Sequence, residues 1–458
     1  MASGAEQVTI LAATRVPLLR PPPPHLEQIP LSFLDAWFLP QPPIQRLFLY
    51  DGLPADFPTL VRTLKSSLAD AIAVFFPLAG KLCHLPATGD VVVDCSPSAV
   101  GDGVLFLEAA ARGDARRLSG DARHDVPAFL GLVPSLETPE LPAPVLAVQA
   151  TRFEGGGVAV GVAMHHAVAD GHSFWRFMAA WSAAARGGAL PAALAPTFER
   201  SAIVHPVAAE MARGILRKVT PELPLLPTAN LLRRTWLQHE TTTLELDRRR
   251  IDHLKNRIAV ANEELNQTAA DLQLRRRSTF VAVAALVWSS VVQARSLDPG
   301  ARTRLLFLAD CRRRLDPPVP EGYFGNCVRG CVAEAAAGDL LLGADSRGGG
   351  GVARASRAIR EAVDGFVARP LAGCDAWFDE VGGLLREPGF VAVTASPRFA
   401  AYGTDLGWGA PTRVESVSES APEGMVVVTG GRGDGGVQVS ACLSPAHMQP
   451  FRSRVLDL

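Results

Sequence analysis

The sequence predicts an α/β protein of two large domains joined by a long crossover, and three observations carry that expectation. The chain has 458 residues, too many for one ordinary core at roughly 150 residues per domain. Period-two strand signals alternate with helix-period signals along its length. A Pro- and Ala-rich segment without clean periodicity, residues 188–233, contains the run PELPLLP and separates the two halves. The expected boundaries are therefore 1–187, a crossover linker at 188–233, and 234–458.

In chain order, a Pro-rich entry leads to a short strand, RLFLY, at 46–50. Leu60, Leu64, Leu68, Ile72 and Phe75 then recur at helical spacing, which predicts a helix over roughly 58–75 ended by Pro77 and Gly80. In VAVGVAMHH, residues 158–166, Val158, Val160 and Val162 alternate as in a strand before the segment His165-His166-Ala167-Val168-Ala169-Asp170-Gly171 breaks the pattern. Phe174, Phe177, Met178 and Trp181 next mark one face of a helix that closes at Gly187-Gly188. In the second half, TTTLELDRRRIDHLKNRI reads as a strand and a helix, and Ser278-Thr279 are N-cap candidates for an apolar helix. RTRLLFLAD, residues 302–310, is a strand followed by a turn-rich segment, and Gly348–Gly351 and Gly430–Gly436 read as loop or hairpin turns.

Lys plus Arg (45) and Asp plus Glu (46) nearly cancel, which argues against a protein held to nucleic acid or a membrane surface by bulk charge. Residues 1–24 carry Glu6 and turn Pro-rich without a basic stretch leading into an apolar one, so they do not read as a signal peptide. No apolar run approaches the roughly 20 residues of a membrane span. Seven scattered cysteines form no disulfide framework and fit reduced thiols in a cytoplasmic protein. Cys327 and Cys331 lack a second ligand pair, and His166, Asp170 and His172 are too few for a metal, so no metal is expected.

Three constellations carry chemistry. His166 sits where a strand becomes a loop, and an imidazole fixed in a cleft can take a proton from an attacking hydroxyl or amine. Asp170, four residues on, either acts locally or fixes the loop. No Gly-x-Ser-x-Gly occurs and no Cys lies close in sequence to His166, so the base has no evident protein nucleophile and direct transfer through a ternary complex is the expected mechanism. The second constellation is Tyr402 to Pro411, where three glycines surround Trp408. Its indole N–H is a fixed donor suited to a developing oxyanion, or else the ring plugs a gap in a turn. The third joins Asp310-Cys311-Arg312 to Tyr323-Phe324-Gly325-Asn326-Cys327, which reads as a polar loop braced by an Asp–Arg pair.

These residues resemble the plant BAHD family of acyl-CoA-dependent acyltransferases. His166-x-x-x-Asp170-Gly171 is similar to the family's HxxxD motif, and Asp405-Leu406-Gly407-Trp408-Gly409 to its DFGWG motif with Leu406 replacing Phe. Leu31 to Asp35, Phe76 to Leu82, Ser278-Thr279-Phe280 and Asp310-x-Arg312 fall in the family's order. The resemblance implies two chloramphenicol-acetyltransferase-like domains joined by the crossover, with an active-site channel at their interface. It makes His166 the general base that deprotonates the acceptor for attack on a CoA thioester. Asp170 becomes a loop brace held by an Arg, Asp405 a structural carboxylate with Arg312 as partner, and Trp408 the oxyanion donor. The substitution at Leu406 touches only local packing.

The same resemblance implies acyl-CoA as co-substrate, with no permanently bound cofactor, and a monomer acting on small molecules in plant specialised metabolism. CoA phosphates need a local anion site. Arg275, Arg276 and Arg277 before Ser278 and Thr279 supply guanidinium groups next to free helix N–H groups.

The segment Tyr323 to Cys327 and the start Leu31-Ser32-Phe33 most resemble the branch that acylates anthocyanin, flavonoid and phenolic glucosides, where malonyl-CoA is the commonest donor. A malonyl carboxylate in a cleft calls for a cation; Arg176 and Arg398 are the candidates. Hydroxycinnamoyl transfer to a hydroxyl or amine is the enzyme alternative. An inactive binding protein on the same fold is the non-enzyme one, against which stand His166, Asp170 and Trp408. A peptide-synthetase condensation domain shares HHxxxDG, but the chain leaves no room for a carrier domain beside its two halves.

Overall fold

The structure, a computed structural model, describes residues 8–457 apart from 53–55, 121, 137, 228–237, 264–277, 342–349 and 385–386. The alternation at 158–164 becomes the strand Val158–Met164, every residue of which is buried. A strand with both faces covered needs cover on each side, and the surrounding chain supplies it. Its neighbours are Leu146–Phe153 and Ile44–Tyr50, both antiparallel to it. The full sheet runs Val8–Val16, Val104–Ala111, Leu146–Phe153, Val158–Met164, Ile44–Tyr50, Arg413–Val417.

Helix Phe57–Val74 starts at Asp56, whose side chain accepts a hydrogen bond from the Thr59 N–H, and buries Leu60, Leu64, Leu68 and Ile72 as the spacing predicts. It packs on helix Gly171–Ala185. The latter covers one face of the sheet, where Trp175 meets Phe48 edge-on at 6.1 Å. On the opposite face Leu118, Phe129 and Leu132 pack against Leu47, Leu49 and Ala159. Full burial of each such side chain contributes roughly 1.5–3 kcal/mol.

These elements belong to the first of two compact units, Met1–Arg233 with Cys311–Val328 and Ala401–Ser420. Sequence order would have left the last two segments with the second half; hydrogen bonds of the Arg413–Val417 strand to Ile44–Tyr50 are one reason they join the first unit. A smaller sheet of Gln28–Pro30, Asp90–Asp94, Lys81–Leu85 and Ala143–Pro144 lies in the same unit. The aperiodic segment after residue 188 contains a helix, Ala208–Val219, which packs on the short helix Phe33–Ala36. Ala212, Ile215, Leu216 and Val219 form its buried face. Their helical spacing was the readable signal, masked by flanking prolines.

The second unit, Arg234–Asp310 with Arg329–Ala400 and Ala421–Leu458, carries the sheet Glu240–Leu246, Val437–Leu443, Met425–Gly430, Phe390–Ser396, Arg302–Asp310, Val328–Ala336. Arg302–Asp310 coincides with the expected strand, and the glycines at 430–436 turn the Met425–Gly430 and Val437–Leu443 hairpin. Gly350 and Gly351 instead open helix Gly350–Ala368, correcting the loop expected there; Gly348 and Gly349 lie outside the described residues. Among the described residues no helix is long and apolar enough to cross a membrane.

Candidate active site

Past Met164 the strand gives way to a short 3-10 turn, His166–Val168. His165 opens it: its N–H donates to the Val145 carbonyl at 2.9 Å, and its Nδ1 accepts from the Ala167 N–H at 3.2 Å. His165 is thereby buried and structural, with burial pushing its pKa to about 3. His166 is half-buried. Phe38 stacks on its ring at 4.2 Å and 11°, and Asn326 Nδ2 donates to its backbone carbonyl at 2.9 Å. Burial lowers the imidazole pKa to about 4; its own backbone, Asp170 and Asn326 pull it up, while the Arg46 charge pushes it down further. The ring is therefore neutral at physiological pH, the state in which it accepts a proton. Among the described residues no hydroxyl or thiol hydrogen-bonds it, and Nδ1 has no partner in another residue.

Asp170 caps helix Gly171–Ala185 by accepting from the Ser173 N–H at 2.9 Å. Its carboxylate also accepts from Arg312 Nη1 at 2.8 Å, Arg312 Nη2 at 3.2 Å and the Cys327 N–H at 3.0 Å. Burial alone would raise its pKa, but the Arg312 charge and these hydrogen bonds hold it below the usual carboxylate range. None of its bonds goes to His166. It clamps the loop after His166 to the Cys311–Val328 segment, as a brace does and a proton relay does not.

A second buried network supports His166 from behind. Asp35 Oδ1 accepts from the Asn326 N–H at 2.7 Å and from Asn326 Nδ2 at 3.0 Å. Its Oδ2 accepts from the Ser32 N–H and hydroxyl and forms an ion pair with Arg200 Nε at 2.8 Å. Ser32 and Asp35 make a capping box on helix Phe33–Ala36. The Leu31 to Asp35 and Tyr323 to Cys327 motifs, which sequence reasoning used only as markers, thus meet behind the base.

Two expectations are corrected. Trp408 does not reach His166. Its ring lies edge-on to Tyr50 at 5.6 Å, and Tyr50 pairs with Val158, whereas the His166 end of that strand pairs Met164 with Ile44. Six residues at about 3.3 Å each put roughly 20 Å between those ends. The same turn meets the other end of the helix that Asp170 caps: a Cβ on Gly407 would stand 3.0 Å from the Ala185 carbonyl. Trp408 is a packing residue of this turn, not an oxyanion donor.

Arg312 is the partner of Asp170, not of Asp405. Asp405 is structural by another route, accepting from the Gly407 and Gly409 N–H groups at 2.9 and 2.8 Å. Both glycines hold positive φ, +104° and +101°, which explains why the turn needs them.

Arg176 Nη2 donates to the Ala193 and Ala195 carbonyls at 2.7 and 3.3 Å, which ties its side chain to the segment after its own helix. Arg398 is exposed in a turn of the second unit. Ser278 accepts from the Val281 N–H and caps helix Thr279–Ala294, as expected; Arg275, Arg276 and Arg277 lie outside the described residues. Among the described residues no cluster of three His, Cys, Asp or Glu could hold a metal ion. Sequence reasoning missed Arg46, which sits inside a strand and belongs to no motif.

Comparison with known proteins bears on this geometry. A family model described as "Transferase family" matches residues 7–458. A malonyl-CoA:anthocyanidin 5-O-glucoside-6''-O-malonyltransferase of Arabidopsis thaliana is 31% identical, covering 97% of each chain. Hydroxycinnamoyltransferase 2 of Oryza sativa subsp. japonica is 30% identical, covering 86% of each. Among solved structures, vinorine synthase superposes with a TM-score of 0.71 at 21% identity, covering 99% of this chain and 98% of that one.

Proposed function

The chain belongs to the Transferase family of acyl-CoA-dependent BAHD acyltransferases, and from that premise we propose that it moves a malonyl group from CoA to a sugar hydroxyl of a flavonoid, anthocyanin or phenolic glucoside. The observation that carries the mechanism is the placement of the His166 imidazole, stacked on Phe38 in a turn held by Asn326, with no Ser or Cys bonded to it among the described residues. His166 removes the proton from the acceptor hydroxyl as its oxygen attacks the thioester carbonyl. The resulting tetrahedral centre expels CoA as thiolate, and the proton held by His166 passes to that sulfur. No covalent enzyme intermediate forms. The CoA phosphates are assigned to the start of helix Thr279–Ala294, where Ser278 leaves N–H groups available to an anion.

The malonyl assignment leans on the glucoside malonyltransferases among the relatives. Hydroxycinnamoyl transfer is the second reading, favoured by the rice relative. Purified protein offered malonyl-CoA and p-coumaroyl-CoA over a panel of glucosides separates the two by mass spectrometry of the products. Absence of turnover with malonyl-CoA on every glucoside sinks the first reading, and an acyl-enzyme trapped in the same samples refutes direct transfer.

A further inference from the structure

Arg46 lies in the strand Ile44–Tyr50, opposite Val162 on one side and Ser416 on the other. Residues directly opposite in a ladder share a face, so Val162, Arg46 and Ser416 form one row, two positions short of the Met164 end from which His166 emerges. Helix Gly171–Ala185 covers that face: the guanidinium carbon of Arg46 stands 5.8 Å from the centre of the Phe174 ring. Nη1 donates to the Gln45 carbonyl and to the Ser416 hydroxyl, each at 2.8 Å. Nε is buried with no acceptor. Among the described residues no carboxylate forms an ion pair with Arg46. Glu415, the acid whose charge acts on it, is committed to His124 and Arg413, at 3.2 and 2.7 Å.

A guanidinium so placed is costly. Burial lowers its pKa to about 10 against the opposing pull of Glu415, and an ion out of water calls for a counter-charge. Arg46 pairs with Val162, two positions or roughly 7 Å along the strand from the Met164 end that leads into His166, which places the unpaired cation on the same end of the sheet as the base. A carboxylate on the carbon next to a thioester carbonyl is two bonds from the reacting atom, so whatever recognises it must stand beside the base. A planar fork with two anchored bonds and free N–H groups suits that ligand.

We propose that Arg46 forms the acyl-selecting subsite of this enzyme, receiving the free carboxylate of a dicarboxylic acyl-CoA beside His166. The inference rests on the malonyl reading above and names the residue that enforces it.

The test compares malonyl-CoA with acetyl-CoA, which differ only by that carboxylate. Wild type, Arg46→Gln and Arg46→Lys are assayed on an accepted glucoside, and binding of both donors is measured by calorimetry without acceptor. Arg46→Gln should lower the malonyl-to-acetyl ratio of kcat/KM by at least about tenfold, mainly through KM for malonyl-CoA. Arg46→Lys, which keeps the charge without the fork, should retain part of the preference. Equal losses with both donors, or a ratio unmoved in folded Arg46→Gln, overturn the subsite while leaving the malonyl reading intact. Should Arg46→Gln fail to fold, a malonyl preference undiminished in Arg46→Lys, in both turnover and binding, overturns it. A wild type that uses p-coumaroyl-CoA and not malonyl-CoA overturns the reading and the subsite together.

Discussion

Arg312 and Asp170 stand 142 positions apart in the chain and meet through hydrogen bonds of 2.8 and 3.2 Å, each side chain 2% exposed. Removing one charge of such a pair leaves the other buried without compensation, at a cost of roughly 3–5 kcal/mol. Asp170→Asn should therefore lower the urea midpoint strongly with little change in slope. The double variant Asp170→Asn with Arg312→Met should lose less than the sum of the single losses, because the stranded charge is gone. Wild-type stability in Asp170→Asn with activity abolished would return Asp170 to a proton-relay role.

His166 tests the chemistry directly. His166→Ala should lose about 10²–10⁴-fold in kcat while far-UV circular dichroism stays close to wild type, since the ring is half-buried and its side-chain packing is the stack with Phe38. In the wild type the base is neutral above its pKa of about 4. The acid limb of kcat/KM should fall near that pH and not near the ordinary value of about 6.5, with far-UV circular dichroism recorded at each pH to separate titration from unfolding. A limb centred at 6.5 would show that the imidazole is more hydrated than its surroundings indicate.

Asn326 separates positioning from binding. Its side chain ties the His166 carbonyl to the buried Asp35 carboxylate at 2.9 and 3.0 Å, so it fixes the turn that carries the base. Asn326→Ala should lower kcat by roughly tenfold or more with KM for acyl-CoA little changed. A change confined to KM would instead place Asn326 against substrate.

Local periodicity and turn chemistry were legible in the sequence because they depend on neighbours. The strand Val158–Met164, the helix Phe57–Val74 and the Ser278 cap all follow from residues within one or two turns. Pairings across the chain were not legible. Asp35 meets Asn326 across 291 positions, and nothing local in either motif states it. Trp408 was misread for the same reason: a glycine-flanked indole looks like a catalytic donor until the pairing of Arg413–Val417 with Ile44–Tyr50 draws its turn to the Tyr50 end of the sheet. Arg46 escaped notice because a cation inside RLFLY reads as the exposed side of a strand, and only the sheet shows that Phe174 covers it.

The correction at Trp408 carries its own test. Trp408→Ala removes a large, half-buried ring packed on Tyr50 and should lower stability by less than the roughly 3–5 kcal/mol of a fully buried ring, while kcat per folded molecule stays near wild type. Trp408→Phe should recover most of the loss. A fall in kcat of about 10²-fold or more in well-folded Trp408→Phe would restore the oxyanion role.

Glu415 sets an acid limit on the fold. The carboxylate lies 3.2 Å from His124 Nε2 and 2.7 Å from Arg413 Nε, on the strand that pairs with Ile44–Tyr50. Burial would raise its pKa, but His124 and Arg413 outweigh that and hold it at about 2, below its ordinary 4.5. A depressed folded-state pKa means the unfolded chain binds the proton more readily. The stabilisation is therefore complete above about pH 4.5 and is lost as pH falls towards 2, amounting to roughly 3 kcal/mol at this shift. Unfolding free energies between pH 7 and 2 should show this decline, and Glu415→Gln should be destabilised at pH 7 with a shallower acid slope. Identical slopes for the two proteins would move the acid sensitivity to other carboxylates, Asp170 first among them.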